Sequence, residues 1–281
     1  MKILVTGVGG QLGHDVVEEL LKNGVEAIPC DREDFDLTDK NATESFILDK
    51  KPDGVIHCAA YTAVDKAEDE EEICRKINAD GSLYIATACE KIGAKMIYVS
   101  TDYVFGGDGE EPYEVDDEKN PQNIYGRTKL EGEKNAFENC SRAFVVRTSW
   151  VYGINGNNFV KTMRRLAETR DELSVVSDQI GSPTYTRDLA VLLVSMIQSE
   201  KYGVYHASNE GFISWAEFAE MIMKKSGLSV KINHIPTSEY PVKAKRPLNS
   251  RLSKKCLTDN GFSLLPSQDD ALTRYIEELN K

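Results

Sequence analysis

Tyr125 and Lys129 stand four residues apart, a spacing that on a helix puts two side chains on one face, a turn apart. An ammonium beside a phenol stabilises the phenolate. Lys129 is therefore expected to pull Tyr125 down from the usual tyrosine pKa of about 10, toward proton transfer at neutral pH. Thr101, within Ser100-Thr101-Asp102, supplies a hydroxyl for the same oxygen. Such a set could protonate an oxygen as negative charge develops on it. Two common surface residues often fall at this spacing by chance, so the pair takes its meaning from what accompanies it.

A proton donor needs a frame, and the chain alternates strand and helix patterns. Ile3-Leu4-Val5 is a short apolar strand, and Gly7-Val8-Gly9-Gly10-Gln11-Leu12-Gly13 follows at once. That loop opens a helix with Leu12, Val16 and Leu20 on one face and Gly24 at its end. Glycines permit a tight turn and close backbone approach, so that amides at the helix N-terminus meet a pyrophosphate. A second strand, Glu26 to Cys30, ends at Asp31, where a ribose-binding acid belongs. Asp31 suits the 2'-hydroxyl of NAD, while Arg32 beside it could meet the 2'-phosphate of NADP. The reading leans to NADH with NADPH tolerated. Asp36-Leu37 could hold an adenine by a hydrogen bond and an apolar contact, or form a plain loop.

Further along, Val55 to Ala60 reads as a buried strand ending in small residues, Ala59-Ala60, with Tyr61 and Thr62 facing the cleft. The acidic run Glu68 to Glu72 is most simply a solvated first helix turn, where negative charge suits the dipole. One helix is expected from there to Gly93, then a strand from Lys95 to Ser100 that places Thr101 at its carboxyl end, where open parallel sheets bind ligands. Residues 106–123 form a long loop bordering the site, either a lid or a passive crossover. A helix from Tyr125 to Phe137 and a strand from Ala143 to Thr148 follow, after which Trp150 points into the cleft or packs its rim.

These repeats predict an α/β fold, a Rossmann-type doubly wound parallel sheet with a smaller α/β substrate-binding lobe at its carboxyl edge. Residues 1–150 are expected to hold NAD(P), and 151–281 to form mainly the lobe, with segments near 172–208 rejoining the main sheet. Lys243, Lys245, Arg246, Arg251, Lys254 and Lys255 cluster with no acid among them. A solvated face is one explanation. A diphosphate-bearing substrate clamped by Arg246 is the other.

Composition narrows the function classes. The 281 residues carry a net charge of -12, which disfavours a nucleic-acid polymer as partner. No apolar run is long enough to span a bilayer, and no signal-peptide pattern opens the chain, so no membrane partner and a cytoplasmic location are expected. The six cysteines include no Cys-x-x-Cys pair and the four histidines are scattered, which points to neither disulfides nor a metal site.

Thr6-Gly7-x-x-Gly10-x-x-Gly13, Ala59-Ala60, Ser100-Thr101 and Tyr125-x-x-x-Lys129, in this order and spacing, resemble the extended short-chain dehydrogenase/reductase superfamily. Longer strings narrow the match: Tyr61 to Glu68, Ser100 to Phe105, Arg147 to Tyr152, Asn158 to Met163 and Arg246-Pro247-x-Asn249-Ser250. Over nearly the whole chain these resemble the dTDP-4-dehydrorhamnose reductase family. The resemblance implies an NAD(P)H-dependent reduction of a dTDP-linked 4-keto-6-deoxy-sugar. It implies Tyr125 as proton donor, Lys129 as its electrostatic partner and Thr101 as ligand of the carbonyl oxygen. Thr101, Asp102 and Trp150 become sugar contacts, and Asn158 and Arg246, within matching strings, are further substrate candidates. Gly10, Gln11, Leu12, Asp31, Asp36, Leu37, Ala60, Tyr61, Thr62, Val99, Tyr125 and Lys129 line the cofactor by the same match. Some members form homodimers around a divalent ion held by acidic side chains. Where a glutamate would then follow the glycine loop this chain has His14-Asp15, so no metal ligand is assigned. A sugar-nucleotide epimerase and a non-catalytic NAD(P)-binding regulatory subunit are the competing readings. A dehydratase would carry an acid where this chain has Tyr103.

Overall fold

Alternate residues of the first strand face opposite layers of apolar side chains, as in a strand covered by helices on both sides. In a computed structural model, which describes all 281 residues, this strand (β1, Lys2–Thr6) lies inside a parallel sheet. Its companions are β2 (Glu26–Cys30), β3 (Gly54–His57), β4 (Lys95–Thr101), β5 (Ala143–Thr148) and β6 (Gly203–His206). Their spatial order is β6-β5-β4-β3-β1-β2. The order reverses between β1 and β3, and at such a point an open sheet offers a crevice at its carboxyl ends.

Ile3 and Val5 of β1 join Leu12, Val16 and Leu20 of helix Gln11–Lys22 and Leu189, Leu193 and Ile197 of helix Thr186–Ile197 in one buried layer. Leu4 points the other way, into a layer with Ile47, Ile85, Cys89, Tyr98 and Ala136. The helix expected up to Gly93 runs unbroken from Glu71 to Ile92, with one turn, Lys76–Asp80, widened to π-type between Glu71–Arg75 and Gly81–Ile92. Strand β6 runs parallel to β5, so 203–206 belongs to the main sheet. The 172–176 segment does not rejoin it: Glu172–Val176 pairs with Lys231–Ile235 in a separate two-stranded sheet. There Leu173 and Val175 pack under helices Trp215–Ser226 and Gln268–Leu279, with Phe218, Ile222, Leu272 and Tyr275.

The loop over 106–123 is fastened along its length. Tyr113 donates its amide to Arg251 O, its carbonyl accepts from Ser253, and Asn249 Nδ2 donates to Asp108 O and Glu111 O. These bonds tie the first part of the loop to residues 249–253 beside the site. No helix of the chain is long and apolar enough to cross a membrane.

Candidate active site

The glycine loop turns from β1 into helix Gln11–Lys22 through Gly7, whose φ of 70° lies in the left-handed region that favours glycine. A Cβ there would come within 2.8 Å of the Ala59 backbone, and one on Gly13 would overlap the Gly7 carbonyl. Only bare backbone brings these segments this close. The first amides of the helix, at Gln11, Leu12 and Gly13, thus face the crevice beside Ala59 and Ala60. Asp31, at the end of β2, accepts from Gly9 N at 2.7 Å and from Arg32 N at 2.8 Å. Arg32 is itself exposed. These residues fit the pyrophosphate and one ribose of a dinucleotide, and the small residues leave room for it.

Other sequence candidates already have partners. Asp36 accepts from the amide and hydroxyl of Thr38, and those bonds hold its pKa below the usual carboxylate value. Leu37 packs against Gly81, where any side chain would collide with it. Gln11 Oε1 accepts from Gly153 N at 2.8 Å and Asn158 Nδ2 at 2.9 Å. Asn158 also caps helix Phe159–Ala167 and donates to Tyr275 Oη at 2.9 Å, so it ties the glycine loop to the lobe. Thr62 is exposed.

Helix Ile124–Asn139 begins where Asn123 caps it, accepting from Gly126 N, and where Glu68 accepts from Ile124 N at 2.8 Å. It carries Tyr125 and the buried Lys129 toward the end of β4. Thr101, also buried, donates to Asp102 Oδ1 at 3.0 Å, and its hydroxyl stands by the Tyr125 phenol. The expected effect of Lys129 on Tyr125 is not what this geometry gives. Burial raises the phenol above its ordinary value, with the Thr101 hydroxyl pulling the other way. Lys129 Nζ donates to Val99 O at 2.7 Å and lies 4.1 Å from the centre of the Tyr98 ring. Burial brings Lys129 itself down to about 7. Burying a charge costs more than a neighbouring charge returns.

Asp102 is pushed up to about 6 by burial, against the hydrogen bonds from Ser250 and Thr101. Ser250 Oγ donates to Asp102 Oδ2, which joins the Arg-Pro-x-Asn-Ser string to Ser-Thr-Asp in one site. Trp150 sits at φ 49°, stacked on Trp215 with ring centres 3.7 Å apart and lying over Gly181. It lines the lobe's edge of the crevice.

Two features lay outside the sequence reading. Asn78, inside the π-turn, accepts from Tyr61 N at 2.8 Å and donates to Tyr61 O at 3.2 Å, holding that segment in place. The only sequence signal is an asparagine among small residues, which is weak. The acidic run, and Asp65 just before it, are also no idle surface. Asp65 pairs with Arg246 Nη2 at 2.6 Å and accepts from Ala244 N, and Asp69 pairs with Lys243. Glu70 accepts from Tyr61 Oη. Four of the six basic residues are therefore paired with acids from outside their own segment, Lys254 with Glu210 and Lys255 with Asp259 besides the two above, while Lys245 bonds the Gln122 amide and Arg251 the Asn249 amide. Arg246 Nη1 is buried with no hydrogen-bond partner.

His14, Asp15 and Glu18 bring three possible ligand atoms within 4.8 Å of one another, but a cation already stands among the acids. The Arg187 guanidinium stands among them, against Glu18 at 3.4 Å, Glu278, and Asp15 at 4.0 Å. Asp15 in addition accepts from Thr186 Oγ1.

Residues 1–281 match the family model described as the RmlD substrate binding domain. Spore coat polysaccharide biosynthesis protein SpsK of Bacillus subtilis (strain 168) is 43% identical over 277 residues, spanning 99% of this chain and 97% of that one. A solved dTDP-4-dehydrorhamnose reductase from Clostridium acetobutylicum ATCC 824 superposes with a TM-score of 0.98 at 44% identity, covering 100% of both chains. A dTDP-4-dehydrorhamnose reductase from Bacillus anthracis str. Ames, solved in complex with NADP, superposes with a TM-score of 0.96 at 43% identity over 99% of each chain.

Proposed function

We propose a function from one premise: the chain belongs to the family of the RmlD substrate binding domain. It catalyses the NAD(P)H-dependent reduction of dTDP-4-dehydro-L-rhamnose to dTDP-L-rhamnose, a step in making nucleotide sugars for surface polysaccharides. The observation that carries this reading is the meeting of Thr101, Tyr125 and Lys129 at the carboxyl end of β4, across the crevice from the glycine loop.

A reduced nicotinamide, when bound, supplies the hydride that turns the sugar carbonyl carbon into an alkoxide carbon. Thr101 orients the carbonyl oxygen by a hydrogen bond. Tyr125 gives that oxygen its proton, so the carbonyl gains a C–H and an O–H bond, and the phenol becomes a phenolate. Its raised pKa keeps the proton in place until the alkoxide, a stronger base, takes it. Lys129, near neutrality and poised to be charged, then stabilises the phenolate. Asp102 and Trp150 border the sugar, and Arg246, oriented by Asp65 at 2.6 Å, supplies the cation for the diphosphate.

Asp31 recognises the ribose diol of NADH, the favoured cofactor, and exposed Arg32 accommodates the extra phosphate of NADPH. The deciding experiment incubates the protein with NADH or NADPH and dTDP- and UDP-linked 4-keto-sugars while following nicotinamide absorbance. Oxidation with the dTDP-linked 4-keto-6-deoxy-sugar is expected. Conversion without added cofactor would mean an epimerase, and binding without turnover a regulatory subunit.

A further inference from the structure

Three successive residues of β4 each grip a different turn of helix Ile124–Asn139. Val99 O accepts from Lys129 Nζ at 2.7 Å, Ser100 Oγ donates to Glu133 Oε1 at 2.5 Å, and the Thr101 hydroxyl meets Tyr125. Tyr125, Lys129 and Glu133 recur every four residues and share one helix face. The proposed reaction uses the outer two contacts and leaves the middle one without a role. Ser100 and Glu133 are both buried, and their polar atoms bond each other and Arg147.

Glu133 is also locked from β5. Arg147 gives it two nearly parallel bonds, Nε to Oε1 at 2.8 Å and Nη2 to Oε2 at 2.7 Å. The remaining guanidinium nitrogen donates to Val115 O at 2.9 Å and lies 3.3 Å from His206 Nε2. A two-pronged guanidinium bond fixes direction as well as distance. A buried ion pair is weak evidence for stability, because desolvation offsets the attraction. What it does supply here is register between the helix and the ends of two strands.

We propose that Glu133, held by Arg147 and Ser100, is the positioning residue of this site: it sets the helix so that Tyr125 meets Thr101, and its carboxylate supports the Lys129 ammonium. This rests on Tyr125 and Lys129 being catalytic. The other groups facing Lys129 are Cys58 after β3, Cys74 in the Glu71–Arg75 turn, His57 of β3 and Tyr98 of β4. Burial raises the pKa of both thiols and of the Tyr98 phenol and brings His57 down to about 3. All four are therefore uncharged at neutral pH, which leaves Glu133 as the anion of the set. Lys119 adds a further cation near Glu133 and Arg147.

The test compares Ser100→Ala, Glu133→Gln and Tyr125→Phe with the native enzyme in steady-state assays across pH. Ser100→Ala keeps every charge and loosens the grip, so kcat should fall on the order of tenfold to a hundredfold, with Michaelis constants little changed. Glu133→Gln removes the supporting charge and leaves Arg147 unneutralised, so Lys129 loses its proton more readily. The basic limb of the kcat profile should move to lower pH, and Glu133→Asp should restore it. A purely structural pair would lower thermal stability and leave kcat and the limb where they were; that result overturns the proposal. If Glu133→Gln does not fold, native kcat in Ser100→Ala is enough to overturn it. Full activity in Tyr125→Phe would instead sink the catalytic reading beneath it, which separates the two failures.

Discussion

Tyr125 illustrates how far residue types and spacing carry. Its place on one face with Lys129 could be read from a spacing of four, and Thr101 from its position at a strand end. The direction of the Lys129 side chain could not, because it depends on the Val99 carbonyl, 30 residues away. Tyr125→Phe should lower kcat by roughly two to four orders of magnitude with NADH binding nearly intact, as for a lost general acid. Dissociation constants from fluorescence titration beside steady-state rates check both halves of that statement. Asp31→Ala should weaken NADH and shift the ratio of NADPH to NADH efficiency upward, since Arg32 remains while the ribose loses its acceptor. Asp31 also bonds Gly9 N, so part of the loss will reflect a loosened loop, and both cofactors share that part. An unmoved ratio would mean that Asp31 serves the loop alone.

At the scale of elements, the strands and the glycine turn were legible because apolar runs between turn residues leave few alternatives. The π-turn inside the helix that ends before Gly93 was not. Asn78 in that turn bonds Tyr61, Tyr98 and Thr128, 17 to 50 residues away, and periodicity does not register such contacts. The same crowding makes a prediction about the neighbouring helix. A Cβ on Gly132 would overlap Tyr98 Oη and Asn78 O, both rigidly held. Gly132→Ala should therefore destabilise the fold by about 1 to 3 kcal/mol, despite the better helix propensity of alanine, as overpacking does. Urea unfolding monitored by circular dichroism measures this. A gain in stability would mean that the helix can shift outward without loss.

Across the whole molecule, the acidic stretch from Asp65 to Glu70 and the basic stretch from Lys243 to Arg246 meet, though more than 170 residues separate them. Glu68 to Glu72 read as a solvated helix turn, and the basic cluster as either a solvated face or a diphosphate clamp, because sequence order hides the partner. If Arg246 grips the substrate diphosphate, Arg246→Ala should raise the sugar-nucleotide Michaelis constant about tenfold to a hundredfold, the worth of a charge-assisted bond, with lysine a partial rescue. NADH affinity should stay put; an equal loss of it would place the arginine against the cofactor. Acid sensitivity is a second property of the whole fold. Burial holds His57 and His206 down to about 3, so the native state binds fewer protons than the unfolded chain below the usual histidine value. Each therefore removes up to about 1.4 kcal/mol of stability per pH unit as pH falls from ~6.5 toward ~3. Asp102, raised to about 6, works oppositely over its narrower window between the unfolded value and 6. Denaturant midpoints from pH 7 to 4 should fall, and less steeply in His206→Gln. The layer that joins Leu12, Val16 and Leu20 to Leu189, Leu193 and Ile197 has a consequence for synthesis. A ribosome releases the glycine-loop helix long before the helix that covers its apolar face. During that interval the first half of the chain carries an oily stripe in search of a partner, which is the kind of surface a chaperone shelters and a neighbouring nascent chain can capture.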